Sequence, residues 1–204
     1  MFELVLGTGN RKKAIEIQAV MPADRVRLTT LADWPTAIEV VEDGDSFAEN
    51  ARLKSTQQAK HLGQWVLGED SGLSVDALDG APGIYSARFS GDDATDEKNN
   101  DLLLERLEGV PLERRTAYYN CYLSLSDPDG NERLTANGKC CGRIIQQRHG
   151  THGFGYDPMF EIPEYHLTFG QLGPSVKKAL SHRARALREF IPQLRRLLDQ
   201  LAGE

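Results

Sequence analysis

A chain of 204 residues that is 40% apolar and 26% charged can bury a core without disulfide staples and is too apolar to remain disordered. Its net charge of -6 and pI near 5.4 exclude the diffuse basic surface that non-specific nucleic-acid binding requires, and leave room for a small anionic ligand on locally gathered cations. Cys121, Cys140 and Cys141 lack zinc-like spacing and read as thiols of a reducing compartment.

The opening segment MFELVLGTGNRKK has only a short apolar run with no basic region before it, so neither a signal peptide nor a membrane anchor is expected, and the protein is placed in the cytoplasm. Leu4-Val5-Leu6 predicts a buried strand, broken by Gly7-Thr8-Gly9-Asn10 and followed by a helix over 12–21. Strands are predicted at 25–30 and 37–41, separated by Pro35. Ser46-Phe47-Ala48-Glu49 fits a capping box opening a helix to about Leu62, with Asn50 and Lys54 on one face. Trp65-Val66-Leu67 predicts a strand that ends at the acidic pair Glu69-Asp70, and Leu73-Ser74-Val75 is extended again. Residues 79–93 form an ordered loop and 96–107 a helix. Residues 115–148 predict a hairpin about Asp127-Pro128-Asp129-Gly130 with an additional strand. After the glycine-rich 149–158, the chain closes on an amphipathic helix after Ser181, interrupted or bent at Pro192. With no repeat, low-complexity tract or linker, residues 1–204 read as a single mixed α/β domain.

Chemistry concentrates in a few strings. Thr8-Gly9-Asn10 with Arg11, Lys12 and Lys13 lies where a strand hands over to a helix N-terminus, which attracts phosphate, although the spacing of a Walker P-loop is absent. Glu69 and Asp70, beside Ser71 and Gly72, could hold a hard cation, serve as a general base or form a solvated turn. The acidic run Glu39, Glu42, Asp43 and Asp45 could complete a metal site or simply be exposed, and Lys54 could reach a phosphate. Phe154-Gly155-Tyr156-Asp157-Pro158 offers rings that stack on a base and a carboxylate that accepts a base N–H, or else a tight turn with core aromatics. Ser181-His182-Arg183 begins the final helix, and Arg183 and Lys177 could bind a phosphate or a base edge, although a helix cap with solvated charges is the commoner explanation for each.

Taken jointly, the strings DSGL, GAPGIYSAR, FGYDP and SHR, with Thr8 to Lys13 and Ser46 to Lys54, resemble the inosine triphosphate pyrophosphatase family, the bacterial dITP/XTP pyrophosphatases, over nearly the whole chain. The resemblance implies an elongated α/β fold, with a central mixed sheet flanked by helices and two lobes holding a nucleotide cleft. It also implies a homodimer and Mg²⁺-dependent hydrolysis of non-standard purine triphosphates (dITP, ITP, XTP) to monophosphate and pyrophosphate, which clears deaminated purines from the nucleotide pool. By position, Thr8, Gly9, Asn10, Arg11, Lys12 and Lys13 would bind triphosphate, Asp70 would be metal ligand and proton acceptor, and Ser71 and Lys54 would contact substrate. Phe154, Gly155, Tyr156, Asp157, Lys177, His182 and Arg183 would hold base and phosphates.

The chain departs from the family pattern in places. Val41 stands where a metal-binding Glu is expected, which makes Glu42 the substitute ligand; Gly7 replaces Ala, Glu69 replaces Asp, and Gln171 stands where many relatives have Glu. Two other readings remain at this level. A pyrophosphatase for pyrimidine triphosphates is separated by substrate profiling, and a nucleotide-binding module without catalysis by the absence of pyrophosphate release. A scaffold protein would leave the polar strings unexplained.

Overall fold

A computed structural model of the chain describes residues 1–203. Strand β1 (Phe2–Leu6), helix α1 (Arg11–Gln18) and β2 (Val26–Thr30) form a parallel strand-helix-strand unit with Phe2 opposite Val26 and Leu6 opposite Thr30. Helix α1 stops short of the expected 21 because Met21 precedes Pro22, which disfavours helical backbone before it, and Met21 is buried in the core instead.

Residues 37–41, predicted as a strand, form none. At Ile38 the next helix takes the place of a ladder: Gln58 accepts from the Ile38 N–H (3.1 Å) and donates to the Ile38 carbonyl (3.4 Å). That helix, α2 (Phe47–Leu62), is capped by Ser46, whose hydroxyl accepts from the Glu49 N–H at 3.1 Å. The Glu49 carboxylate reaches the Asp45 N–H (3.0 Å), one residue earlier than a regular capping box. Gly63 ends the helix at φ 62, the left-handed conformation glycine adopts freely.

Residues 66–75 depart furthest from the expected elements. They form one strand, β3 (Val66–Val75), so Glu69 and Asp70 lie inside it, buried, and not at a strand end or in a solvated turn. Gly68 allows this, since a Cβ there would collide with the Ala51 carbonyl of α2. Helix α3 (Asp96–Arg106) follows a 3₁₀ stretch at Gly83–Arg88. Strands β4 (Thr116–Ser126) and β5 (Glu132–Ile144) make the expected hairpin, closed by the Gly130 N–H donating to the Asp127 carbonyl at 2.8 Å. No further strand lies within 115–148; the additional ones are β6 (Phe160–Ile162) and β7 (Leu167–Thr168), beyond it. Helices α4 (Pro174–Leu180) and α5 (His182–Ala202) complete the chain, and Pro192 lies inside α5 without interrupting it.

The sheet order is β2-β1-β3-β4-β5-β6-β7. β1 runs parallel to β2 and β3, whereas β5–β6 and β6–β7 are antiparallel, so the expected α/β architecture with a mixed sheet is present. The chain divides into two compact units, one of Met1–Asp70, Cys121–Gly138 and the chain from Arg185 on, the other of Ser71–Asn120 and Lys139–Ala184. In the first, Leu4, Leu6, Ile17, Leu67 and Leu123 pack with the α5 stripe Leu187, Phe190 and Leu194; in the second, Leu73, Leu103, Tyr119, Phe160 and Phe169 form the core. Each such side chain contributes about 1.5–3 kcal/mol on burial. Among the described residues, no helix is long and apolar enough to cross a membrane.

Candidate functional site

In the first unit the period of two along β3 turns Glu69 and Asp70 to opposite faces, and each meets a lysine from a different helix. Lys13 of α1 reaches Glu69 Oε2 at 3.0 Å. Lys54 of α2 reaches Asp70 Oδ1 at 3.0 Å and Glu42 Oε2 at 2.8 Å, so two carboxylates converge on one ammonium. Asn50, one turn before Lys54 and fully buried, donates to Asp70 Oδ2 (3.4 Å) and accepts from the Gly44 N–H (2.9 Å), tying the acidic loop to the same helix. A Cβ at position 44 would stand 2.7 Å from Glu49 and 2.8 Å from Asn50 Oδ1, so the loop carrying Glu42 closes only with glycine there.

Burial raises the Asp70 carboxyl above its usual range, against the opposing pull of Lys54 and Lys13, and Glu69 adds to the rise. Burial works against the Lys54 charge, yet Asp70 and Glu42 together raise it. The pair is thus an ammonium stabilised by carboxylates, one of which is held in a poorly solvated place. Removing the cation leaves that carboxylate buried beside another. Lys54→Met is therefore expected to cost about 3 kcal/mol, the low end for breaking a buried ion pair because Glu42 is partly solvated. Urea unfolding at neutral pH measures this, and a loss below about 1 kcal/mol would mean that the pair is screened like a surface contact.

The loop between β1 and α1 stands beside this cluster. Gly7, Thr8, Gly9, Glu42, Lys54 and Gln58 line one cavity of about 260 Å³. A Cβ at Gly9 would meet nothing within 4 Å, so the backbone is open to a ligand there. The helix start is less free than the sequence suggests: Asn10 Oδ1 accepts from the Lys12 and Lys13 N–H groups at 3.0 and 3.2 Å. Arg11 and Lys12 are exposed, as are Glu39, Asp43 and Asp45, and Val41 is 68% exposed.

In the second unit Phe154–Asp157 forms a turn in which Asp157 Oδ2 accepts from the Phe154 N–H (2.9 Å) and the Lys177 ammonium (2.5 Å), and that ammonium lies 4.4 Å from the Phe154 ring centroid. The Tyr156 hydroxyl donates to the Ser86 carbonyl at 2.8 Å, and burial raises its pKa. The His182 ring stacks on Tyr119 with centroids 4.7 Å apart. Arg183, fully buried, donates to Ser71 Oγ at 3.0 Å. Ser181 caps α5 through the Ala184 N–H. Gln171 Oε1 accepts from the Thr168 N–H at 3.1 Å, a turn contact that a glutamate could make equally.

The expected site residues therefore fall into two groups. Glu42, Lys54 and Asp70 come together with Thr8 and Gly9 in one unit, with Lys13 on Glu69. Phe154, Asp157 and Lys177 come together in the other, where Arg183 holds Ser71. Asn50, in the sequence only a neighbour of Lys54 on one helix face, is a further site residue; its signal is an amide four residues before a lysine on a buried helix face. Glu42 and Asp70 fit a divalent cation, since they already converge on one positive group, offer hard oxygen donors and retain further lone pairs. Among the described residues no three His, Cys, Asp or Glu side chains gather into a cage. Two carboxylates completed by substrate phosphates is the usual way Mg²⁺ is bound.

The chain matches the model of the Ham1 family over residues 4–193. A dITP/XTP pyrophosphatase of Rhodopirellula baltica is 61% identical over 199 residues, covering 98% of this chain and 96% of that protein. One of Exiguobacterium sibiricum is 46% identical over 198 residues, covering 97% and 100%. Among solved structures, a HAM1 protein from Coxiella burnetii is similar with a TM-score of 0.88 at 33% identity, over 96% of this chain and 100% of that one. The Staphylococcus aureus Ham1 protein gives 0.85 at 36% identity, over 95% and 98%.

Proposed function

The chain belongs to the Ham1 family, and on that premise we propose that it is a nucleoside triphosphate pyrophosphatase that hydrolyses dITP, ITP and XTP to the monophosphate and pyrophosphate. The observation that carries the chemistry is the convergence of Asp70, Glu42 and Lys54 beside the cavity lined by Gly7, Thr8 and Gly9. Residues 1–204 act as one catalytic domain, and the resemblance to family enzymes supports a homodimer that clears deaminated purines in the cytoplasm.

Water attacks the α-phosphorus, a new P–O bond forms, and the bond from the α-phosphorus to the bridging oxygen breaks as pyrophosphate leaves. Asp70 orients the water and takes its proton. Its raised proton affinity suits a base better than an ordinary aspartate. Glu69, nearly fully buried and paired with Lys13, fixes that lysine at the triphosphate. Lys54 and Lys13 supply positive charge to phosphate oxygens, and Thr8 to Lys13 hold the chain of phosphates. Glu42 and Asp70 would hold Mg²⁺, whose charge when bound offsets that which develops on the phosphate oxygens. In the second unit Phe154 takes the base face, and Asp157, Lys177, His182 and Arg183 serve its polar edge.

Purified protein with Mg²⁺ and dITP should give dIMP and pyrophosphate in equal amounts; orthophosphate as the first product would overturn the reaction assigned. Glu42→Gln should raise the Mg²⁺ concentration for half-maximal rate, because a neutral amide binds a hard cation less well. An unchanged titration would move the second ligand to another of the acidic loop's carboxylates.

A further inference from the structure

Helix α3 carries two adjacent buried amides that do different work. Asn99 spends its whole amide on the 86–90 segment: its oxygen accepts from the Ser90 N–H and hydroxyl at 2.8 and 2.7 Å, and its nitrogen donates to the Ala87 carbonyl at 3.2 Å. Asn100 instead donates through Nδ2 to the Gly155 carbonyl at 3.1 Å. One turn earlier on the same face, Asp96 Oδ2 accepts from the Gly155 N–H at 2.9 Å. Thr95 already caps the helix through the Lys98 N–H, so the Asp96 carboxylate is not needed as the cap. Both backbone polar groups of Gly155 are thus clasped by side chains four residues apart. Gly155 has φ 61, a conformation costly for other residues, and it adjoins Phe154.

We infer that Asp96 and Asn100 are positioning residues that set the Phe154 ring for the purine base and so contribute to substrate selectivity; this rests on the base-binding role proposed for Phe154. A second observation separates the arrangement from ordinary core packing. Asn100 Oδ1 is buried with no hydrogen-bond partner. The polar side chain therefore carries a desolvation cost that an apolar residue of similar size would avoid, which stability alone does not explain. Its nitrogen's hold on Gly155 is what the cost maintains.

The test uses Asn100→Leu, with Asp96→Asn and Asp96→Ala as a second pair, read by kcat and KM for ITP and ATP, inhibition by inorganic triphosphate, and thermal melting. Losing one hydrogen bond should raise KM for ITP about 3- to 10-fold and lower the ITP-to-ATP ratio of kcat/KM by a similar factor. Inhibition by inorganic triphosphate, which has no base, should stay within about twofold, and the melting temperature of Asn100→Leu should not fall. Asp96→Asn keeps an acceptor for the Gly155 N–H and should stay near wild type, whereas Asp96→Ala should follow Asn100→Leu. If the wild type discriminates ITP from ATP and neither Asn100→Leu nor Asp96→Ala changes that ratio, the positioning role is overturned and the base reading stands. Equal losses on both nucleotides with a lowered melting temperature would mark a structural role and overturn it too. A wild-type enzyme that treats ITP and ATP alike overturns the base reading, and this inference with it.

Discussion

Asp70→Asn is expected to lower kcat by roughly 10²–10⁴-fold, the usual worth of a general base, without lowering the melting temperature of the metal-free protein. The two halves of that expectation come from the same carboxylate. Oδ1 accepts from Lys54 at 3.0 Å and Oδ2 from Asn50 at 3.4 Å, so an asparagine of nearly the same shape keeps the Lys54 contact and gives up only the longer one with Asn50. Burial nevertheless outweighs the attraction of Lys54 and Lys13 and raises the proton affinity of Asp70 in the folded state. A carboxyl raised in this way favours the fold below its ordinary pKa, and that contribution is lost as pH rises through the raised value. At neutral pH its charge works against folding, so a neutral asparagine relieves it. Lys54 keeps Glu42 as its partner. Steady-state kinetics and calorimetry in EDTA measure both halves. Retention of more than about a tenth of the wild-type kcat would remove Asp70 from the role of base. A clear drop in melting temperature would show that the carboxylate stabilises the fold.

Local periodicity found most helices and strands, because α2, α3 and α5 carry caps or stripes within a few residues of one another. Three features escaped it, two of them because their satisfaction comes from residues distant in sequence. Glu69 and Asp70 read as a strand end because adjacent carboxylates are seldom buried, and their lysines arrive from α1 and α2. Residues 37–41 have strand-like composition, yet at Ile38 both backbone groups go to Gln58, not to a neighbouring strand. Strands β6 and β7, three and two residues long, are too short for any alternation to show. The site residues were legible as strings, and Glu42 stood out from its acidic run only beside Val41, whose exposed apolar side chain offers no donor. The clasp of Gly155 was invisible for the same reason as the lysine pairs, since Asp96 and Asn100 lie far from the loop along the chain.

The central claim is that the chain acts on 6-oxo purines, and kcat/KM for ITP, XTP, GTP and ATP at one Mg²⁺ concentration tests it most directly. Hypoxanthine and xanthine present a 6-oxo acceptor beside an N1–H donor, whereas adenine presents an amino donor beside a bare acceptor. Lys177 and Arg183 can only donate and Asp157 accepts, as it does from Lys177 and the Phe154 N–H, so groups that pair with the first edge are mismatched against the second. Two polar groups left unsatisfied by ATP, at about 1–3 kcal/mol each, give a preference for ITP of roughly 30-fold to more than 10⁴-fold. GTP shares the 6-oxo edge and should be rejected less severely than ATP. Values for ITP and XTP above those for ATP by at least that lower bound are the expected result; comparable values for ATP and ITP would contradict it and leave a triphosphate pyrophosphatase without base selection.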